Sequence, residues 1–204
     1  MRSIRTFIIG AALLVSLALF AGTYLVVSEL YERTVRDDAR ETAQLLARQT
    51  FNAMFQVMRL GWSREQLEGF LAATRESYAG TPITVAIHRG PKVDALFGEI
   101  DQPEPDAELA TALTGNGAIR IVEDDTMLRQ LYPLTASPEC LRCHVNASVG
   151  DVLGVIDVRE ELGPLLDEAR SEFLGAFVPI VPVALVLAAL IALAASRRLN
   201  RALD

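Results

Sequence analysis

Leu128-Arg129-Gln130-Leu131-Tyr132-Pro133-Leu134, then Ser137-Pro138-Glu139-Cys140-Leu141-Arg142-Cys143-His144, then Gly150-Asp151-Val152-Leu153-Gly154-Val155-Ile156-Asp157-Val158: this stretch decides how the chain is read. Its two flanks are short runs rich in Leu, Val, Ile and Tyr, bounded by Pro, Ser, Gly and Asp, which is how β-strands read. Between them stand the only two cysteines of the chain, with a histidine directly after the second.

The order of elements can be read outward from there. Residues 118–122 and 127–134 predict two strands, joined by Glu123-Asp124-Asp125 as a turn, and residues 83–88 predict a third that is rich in β-branched side chains. Arg89-Gly90-Pro91 reads as a turn, the acidic stretch 101–106 as a loop, and residues 107–113 as a short helix. Ser63 with Gln66 three residues later is a capping-box pattern, so a helix is expected to run from there to about Tyr78, broken by Gly80-Thr81-Pro82. Residues 30–60 hold neither Pro nor Gly. Ala39, Ala43, Leu46, Thr50, Ala53 and Val57 recur there at spacings of four and three, and Ala47, Phe51, Met54 and Met58 form a neighbouring stripe. One long helix follows, with one face for a partner helix and the other for the domain core, ended by Gly61. Gly163-Pro164 opens the last helix. The expected fold class is α+β: an antiparallel sheet of about four strands between long helices.

Two charge-free apolar runs, residues 7–27 and 173–195, have the roughly 20 residues needed to cross a bilayer. Arg2 and Arg5 precede the first, which raises a secretory signal peptide as the alternative. Its length, and the helix-like sequence that follows directly, favour an uncleaved anchor. Arg197, Arg198 and Arg201 follow the second, and the positive-inside rule then puts both termini in the cytoplasm. The expected division is a cytoplasmic start 1–6, a span 7–27, an outer domain 28–172, a span 173–195 and a cytoplasmic end 196–204. The outer segment carries 14 Lys/Arg against 25 Asp/Glu, a net charge of −11, which argues against nucleic acid as a partner.

Cys-x-x-Cys-His is the spacing of a c-type haem attachment. The thiols add to the two vinyl groups of the macrocycle and the histidine becomes the proximal iron ligand. A disulfide between Cys140 and Cys143 would close too short a loop to stabilise much. A zinc site needs a fourth ligand, for which His88 is the one remaining histidine. A thioredoxin-like pair would want a βαβ context that this pattern lacks.

The quoted stretch resembles the periplasmic, PAS-like haem c sensor domains of bacterial chemoreceptors and histidine kinases. The likeness is clearest over residues 128–162 and agrees in layout from residue 30 onward. It implies one covalent haem, a PAS-like sheet inserted between two transmembrane helices, a homodimer in the bacterial inner membrane, and no enzymatic activity. It also implies a sensor of redox state or of a diatomic gas such as nitric oxide, carbon monoxide or oxygen, signalling through the flanking helices to a cytoplasmic output. Some members place a methionine of the first long helix on the iron, from the same or the partner subunit. Met58 best matches that position and Met54 lies one turn earlier, while His88 or an open, water-filled site are the other options. Arg129 and Arg142 are candidates to pair with the haem propionates, Arg142 being more readily a solvated surface charge. Trp62 and Tyr132 are candidates to pack on the macrocycle or to fill the core. Residues 197–203 resemble the opening of a HAMP linker, with Ala202 where the usual Pro stands, so the chain reads as a receptor fragment or as a short protein acting through a partner. A membrane-anchored mono-haem electron carrier is the alternative, since the motif serves it equally and an acidic surface suits a basic redox partner.

Overall fold

The computed structural model of the chain describes residues 2–61 and 63–203. Trp62 therefore lies outside the described residues. The fold divides into two compact units: one is Arg36–Pro164, and the other combines the two end segments, up to Val35 and from Leu165.

The end segments are helical. Helix α1 runs unbroken over Arg2–Met58, α5 over Leu162–Phe177 and α6 over Ile180–Leu203. The break between α5 and α6 falls at Pro179, which has no N–H to give and disfavours helical geometry in the residue before it. Ile9–Met58 and Leu162–Ile191 are both long and apolar enough to cross a membrane, with mean hydropathies of 2.1 and 2.6 in their most apolar windows, and no residue of either window is buried. Within this unit Tyr24 packs against Phe173 at 5.5 Å between ring centroids, and Arg170 donates to Glu32 at 2.7 Å.

The other unit is built on a four-stranded antiparallel sheet of β1 (Ile83–Arg89), β2 (Arg120–Glu123), β3 (Met127–Thr135) and β4 (Val152–Glu161), in the order β1-β4-β3-β2. Helix α2 (Arg64–Ser77) starts with the capping box read from the sequence: Ser63 Oγ accepts from Gln66 N, and Gln66 Oε1 accepts from Ser63 N at 2.9 Å. Helix α4 (Ala107–Thr114) is capped by Asp106, whose carboxylate accepts from Leu109 N. Leu109 and Ala112 of α4 pack with Leu131, Val152 and Val155 into one core cluster.

The structure corrects three details. Residues after Gly90 do not simply turn: Pro91–Phe97 forms a helix, α3, in which Pro91 occupies the first turn, where its missing N–H costs nothing. Strand β2 begins at Arg120 rather than residue 118, and β4 continues three residues past Val158. On α1 the buried stripe is Ala39, Ala43, Ala47, Thr50 and Met54, while Ala53 and Val57 are exposed. The domain covers the border between the two apolar stripes, where Met54 removes more apolar surface from water than Ala53 would. Arg36 and Arg40 tie this segment of α1 to β2 by hydrogen bonds to Glu123, at 2.9 and 2.6 Å.

The buried stripe is testable by thermal unfolding of the unit Arg36–Pro164 in the full chain. Ala43→Leu, at a fully buried position, is expected to cost about 1–3 kcal/mol by overpacking. Ala53→Leu, at an exposed one, is expected to leave the midpoint nearly unchanged.

Candidate haem site

The Cys-x-x-Cys-His segment lies in the connection between β3 and β4, the two central strands of the sheet. A pair of backbone hydrogen bonds closes the base of this loop: Ala136 N donates to Asp151 O at 2.8 Å, and Gly150 N donates to Ala136 O at 2.9 Å. Ser137-Pro138-Glu139 leads into a single 3₁₀ turn over Cys140–Arg142, started by a hydrogen bond from Cys140 N to Ser137 O at 2.9 Å. The carbonyl of Cys140 then accepts from both Cys143 N (3.2 Å) and His144 N (2.9 Å). Cys140, Cys143 and His144 thus share one hydrogen-bonded turn of the backbone.

Both cysteines are free thiols, Cys143 exposed and Cys140 half-buried with its sulfur 3.3 Å from Ser137 Oγ. His144 is half-buried. Its Nδ1 is buried without a hydrogen-bond partner. Burial, and secondarily the Arg89 guanidinium, lower its pKa and favour the neutral imidazole, the form that ligates metal. The Phe97 ring meets the imidazole edge-on, with centroids 5.4 Å apart and planes at 81°.

Helix α3 is the neighbour that the sequence reading missed. Besides the Phe97–His144 contact, Asn146 Nδ2 donates to Lys92 O at 2.7 Å, and Lys92 Nζ pairs with Asp151, whose carboxylate also accepts from Ser148 N at 2.6 Å. Gly90 lets α3 sit this close to β4. Its N–H donates to Leu153 O at 2.8 Å, and a Cβ there would stand 2.9 Å from that same oxygen. The only local sign of this packing was Pro91 itself, which marks a helix start as readily as a turn.

The other expected residues fall in several places. Met54 is buried at 6% exposure, and Met58, the last residue of α1, is half-buried. Tyr132 on β3 is half-buried and Arg142 is exposed. Arg129 on β3 lies in a buried ion network: Nε and Nη2 donate to Asp157 at 3.0 and 2.7 Å, and Nη1 donates to Asp106 at 2.7 Å. Those hydrogen bonds, that to Asp157 above all, hold the Arg129 proton more firmly than usual. A propionate would have to share this guanidinium with two carboxylates. His88 joins the same cluster, its Nε2 3.9 Å from Asp157, and burial lowers its pKa. Among the described residues no group of three or more His, Cys, Asp or Glu side chains is placed to hold a metal ion.

Searches of protein-family models, of curated proteins and of solved structures find no match to this chain.

The Arg129–Asp157 pair gives a second prediction. Asp157 is 1% exposed and serves Arg129 and Arg159 together, so Asp157→Ala strands buried cationic charge. A loss of about 3–5 kcal/mol is expected in denaturant unfolding. Replacing Arg129 and Asp157 together by apolar residues of similar volume should cost far less than either single change.

Proposed function

We propose that the chain carries one covalently attached c-type haem on Cys140, Cys143 and His144, and that it is a membrane-anchored sensor of redox state or of a diatomic gas. The observation that carries this reading is the turn at Cys140, which holds two free cysteines and a half-buried histidine in one hydrogen-bonded loop at the end of two central strands. These residues fit the group. An unjoined pair of thiols is what thioether attachment requires, and a half-buried imidazole whose Nδ1 accepts or donates no protein hydrogen bond would serve as the iron ligand. A zinc centre would need its ligands to converge on one point, which the described side chains do not do.

In this reading Cys140 and Cys143 hold the macrocycle by its two vinyl groups and His144 holds the iron. The haem, when bound, supplies an iron centre whose oxidation state and sixth position carry the stimulus. Met58 is the favoured residue opposite His144. It ends α1 half-buried, whereas Met54 at 6% exposure is already committed to packing. Losing or gaining the Met58 contact would favour one arrangement of α1 over another, which is the differential stabilisation that a sensor needs. The exported acidic segment between two membrane-length helices supports a two-pass protein of the bacterial inner membrane, with Arg36–Pro164 in the periplasm. A sheet whose first and last strands are neighbours, with two short helices inserted after the first, supports the PAS-like form. A homodimer and a cytoplasmic output domain or protein complete the proposal.

Expression of the full chain with a haem-attachment system should yield a band that stains for haem after denaturation. Cys140→Ala with Cys143→Ala should lose it, and a wild-type chain without that stain would sink the haem reading. Spectra of the reduced protein with and without nitric oxide, repeated for Met58→Ala, test the rest. A six-coordinate spectrum in the wild type that becomes gas-responsive or five-coordinate in Met58→Ala is expected if Met58 faces the iron. A spectrum that ignores nitric oxide in both would remove gas sensing and leave redox sensing or electron carriage.

A further inference from the structure

We propose that helix α3 is the positioning element of the haem site, with the Phe97 ring, anchored through Arg89, setting the plane of the His144 imidazole. The inference rests on the haem reading above.

Two thioether bonds would fix the backbone of the Cys140–Cys143 turn against the macrocycle, but they leave the His144 ring free to rotate about its own side-chain bonds. A ligating imidazole is ordinarily held by a hydrogen bond from its second nitrogen. Here Nδ1 is buried and has no such partner. What the ring does have is the edge contact with Phe97 at 5.4 Å and 81°. Phe97 is 53% exposed, so it contributes little to the core, yet it stands against the imidazole. Its place on a seven-residue helix would be loose were that helix not tied down at both sides.

The ties are specific. Arg89, the last residue of β1, donates from Nη2 to Val93 O at 3.1 Å and to Gly98 O at 3.0 Å, the second being the residue directly after Phe97. Its Nε lies 3.2 Å from Asp94 in an ion pair that is off the hydrogen-bond axis. Gln102 in turn grips the backbone of Arg89 from both sides, accepting from its N–H at 3.0 Å and donating to its carbonyl at 3.3 Å. On the loop side, Asn146 and Asp151 hold Lys92. The first turn of α3 is therefore pinned to the motif loop and its end to β1, and Phe97 is delivered to the imidazole from a fixed base. Phe97 and Arg89 act on the iron only through His144.

Acid displacement reads this directly in the full-length, haem-loaded protein, because protons compete with the iron for the His144 nitrogen and leave a thioether ligand untouched. An imidazole ring left free to turn yields the iron to the proton more easily. Phe97→Ala is expected to lose the His144–iron bond at several-fold lower proton concentration than wild type, and Phe97→Leu, which keeps apolar bulk without an aromatic edge, in the same direction. Phe97→Tyr keeps the edge and should titrate as wild type. Arg89→Gln should weaken the site like Phe97→Ala, and the double variant should be no weaker than Phe97→Ala alone, because the two act in series. Haem staining and circular dichroism accompany each variant, and Phe97→Leu stands in if Phe97→Ala loses its fold. Equal titrations for Phe97→Ala, Phe97→Leu and wild type would overturn the proposal, as would failure of Phe97→Tyr to restore the wild-type curve. Should the wild type take up no haem, the functional reading fails separately. The positioning is then read in the haem-free chain from the His144 ring-proton resonances, which Phe97→Ala should shift and Phe97→Tyr should not. Unmoved resonances would overturn it there too.

Discussion

One backbone carbonyl organises the candidate site. The oxygen of Cys140 accepts from Cys143 N and His144 N, and that turn gathers the three motif residues into one hydrogen-bonded loop. The turn is held because its loop is closed by the Ala136–Asp151 hydrogen bonds and rises from β3 and β4. These strands pair from Met127 with Glu161 to Thr135 with Val152. Both are flanked on their other side, by β2 and β1. A loop on the ends of two interior strands has little freedom at its base, which is where a covalently held group needs a rigid mount.

The same sheet carries charge that a core would not choose for stability alone. Asp157 is 1% exposed and is held by Arg129 and Arg159, while Glu160, 7% exposed, has one carboxylate oxygen with no partner. Burial, reinforced by Asp38, raises the Glu160 pKa. The neutral acid is thus favoured, and the stabilisation it brings is lost as pH rises through that raised value. A buried ion network does little net work for stability against an apolar replacement of equal volume. Its geometric effect is plainer. Asp106 caps α4 through Leu109 N and binds Arg129 with its other oxygen, so the start of α4 is registered to β3 and β4. Arg129, expected from the sequence as a propionate partner, is thereby an organiser of the sheet's helical cover.

Much of this was legible in the residues. The capping box at Ser63, the stop at Gly61, the strands at 83–88, 127–134 and 152–158, and the two membrane-length runs all have local causes, and each stands where its cause lies. The Cys-x-x-Cys-His spacing is local and is read directly from the residues. What could not be read were facts settled by packing between distant segments. Pro91 opens a turn or a helix with equal ease, and long-range ties, among them the hydrogen bonds from Arg89 to Val93 O and Gly98 O, hold it as a helix with Phe97 at its end. Likewise two apolar stripes on α1 are both real. Which one is buried depends on the unit that meets it, and the structure buries Ala47 and Met54 of one stripe while it leaves Ala53 and Val57 of the other exposed.

The contrast between Met54 and Met58 bears on the proposed sensing. They share a face of α1 one turn apart, but one is buried within the fold and the other closes the helix half-exposed. A residue committed to the core cannot leave it for an iron ligand without opening a cavity, which would oppose the change by several kcal/mol, about 2–5 on the scale of core Met truncation. A residue at the helix end gives up less, because beyond it Leu60 N and Gly61 N bond back to Val57 and Met58 and Gly61 then turns the chain with φ +84°. Moving an equilibrium from 1:99 to 99:1 takes about 5.5 kcal/mol of differential binding. In the proposed sensor, a contact made at the end of α1 would deliver more of its free energy to the switch than one that must first break the core, which favours Met58 over Met54 as the iron ligand.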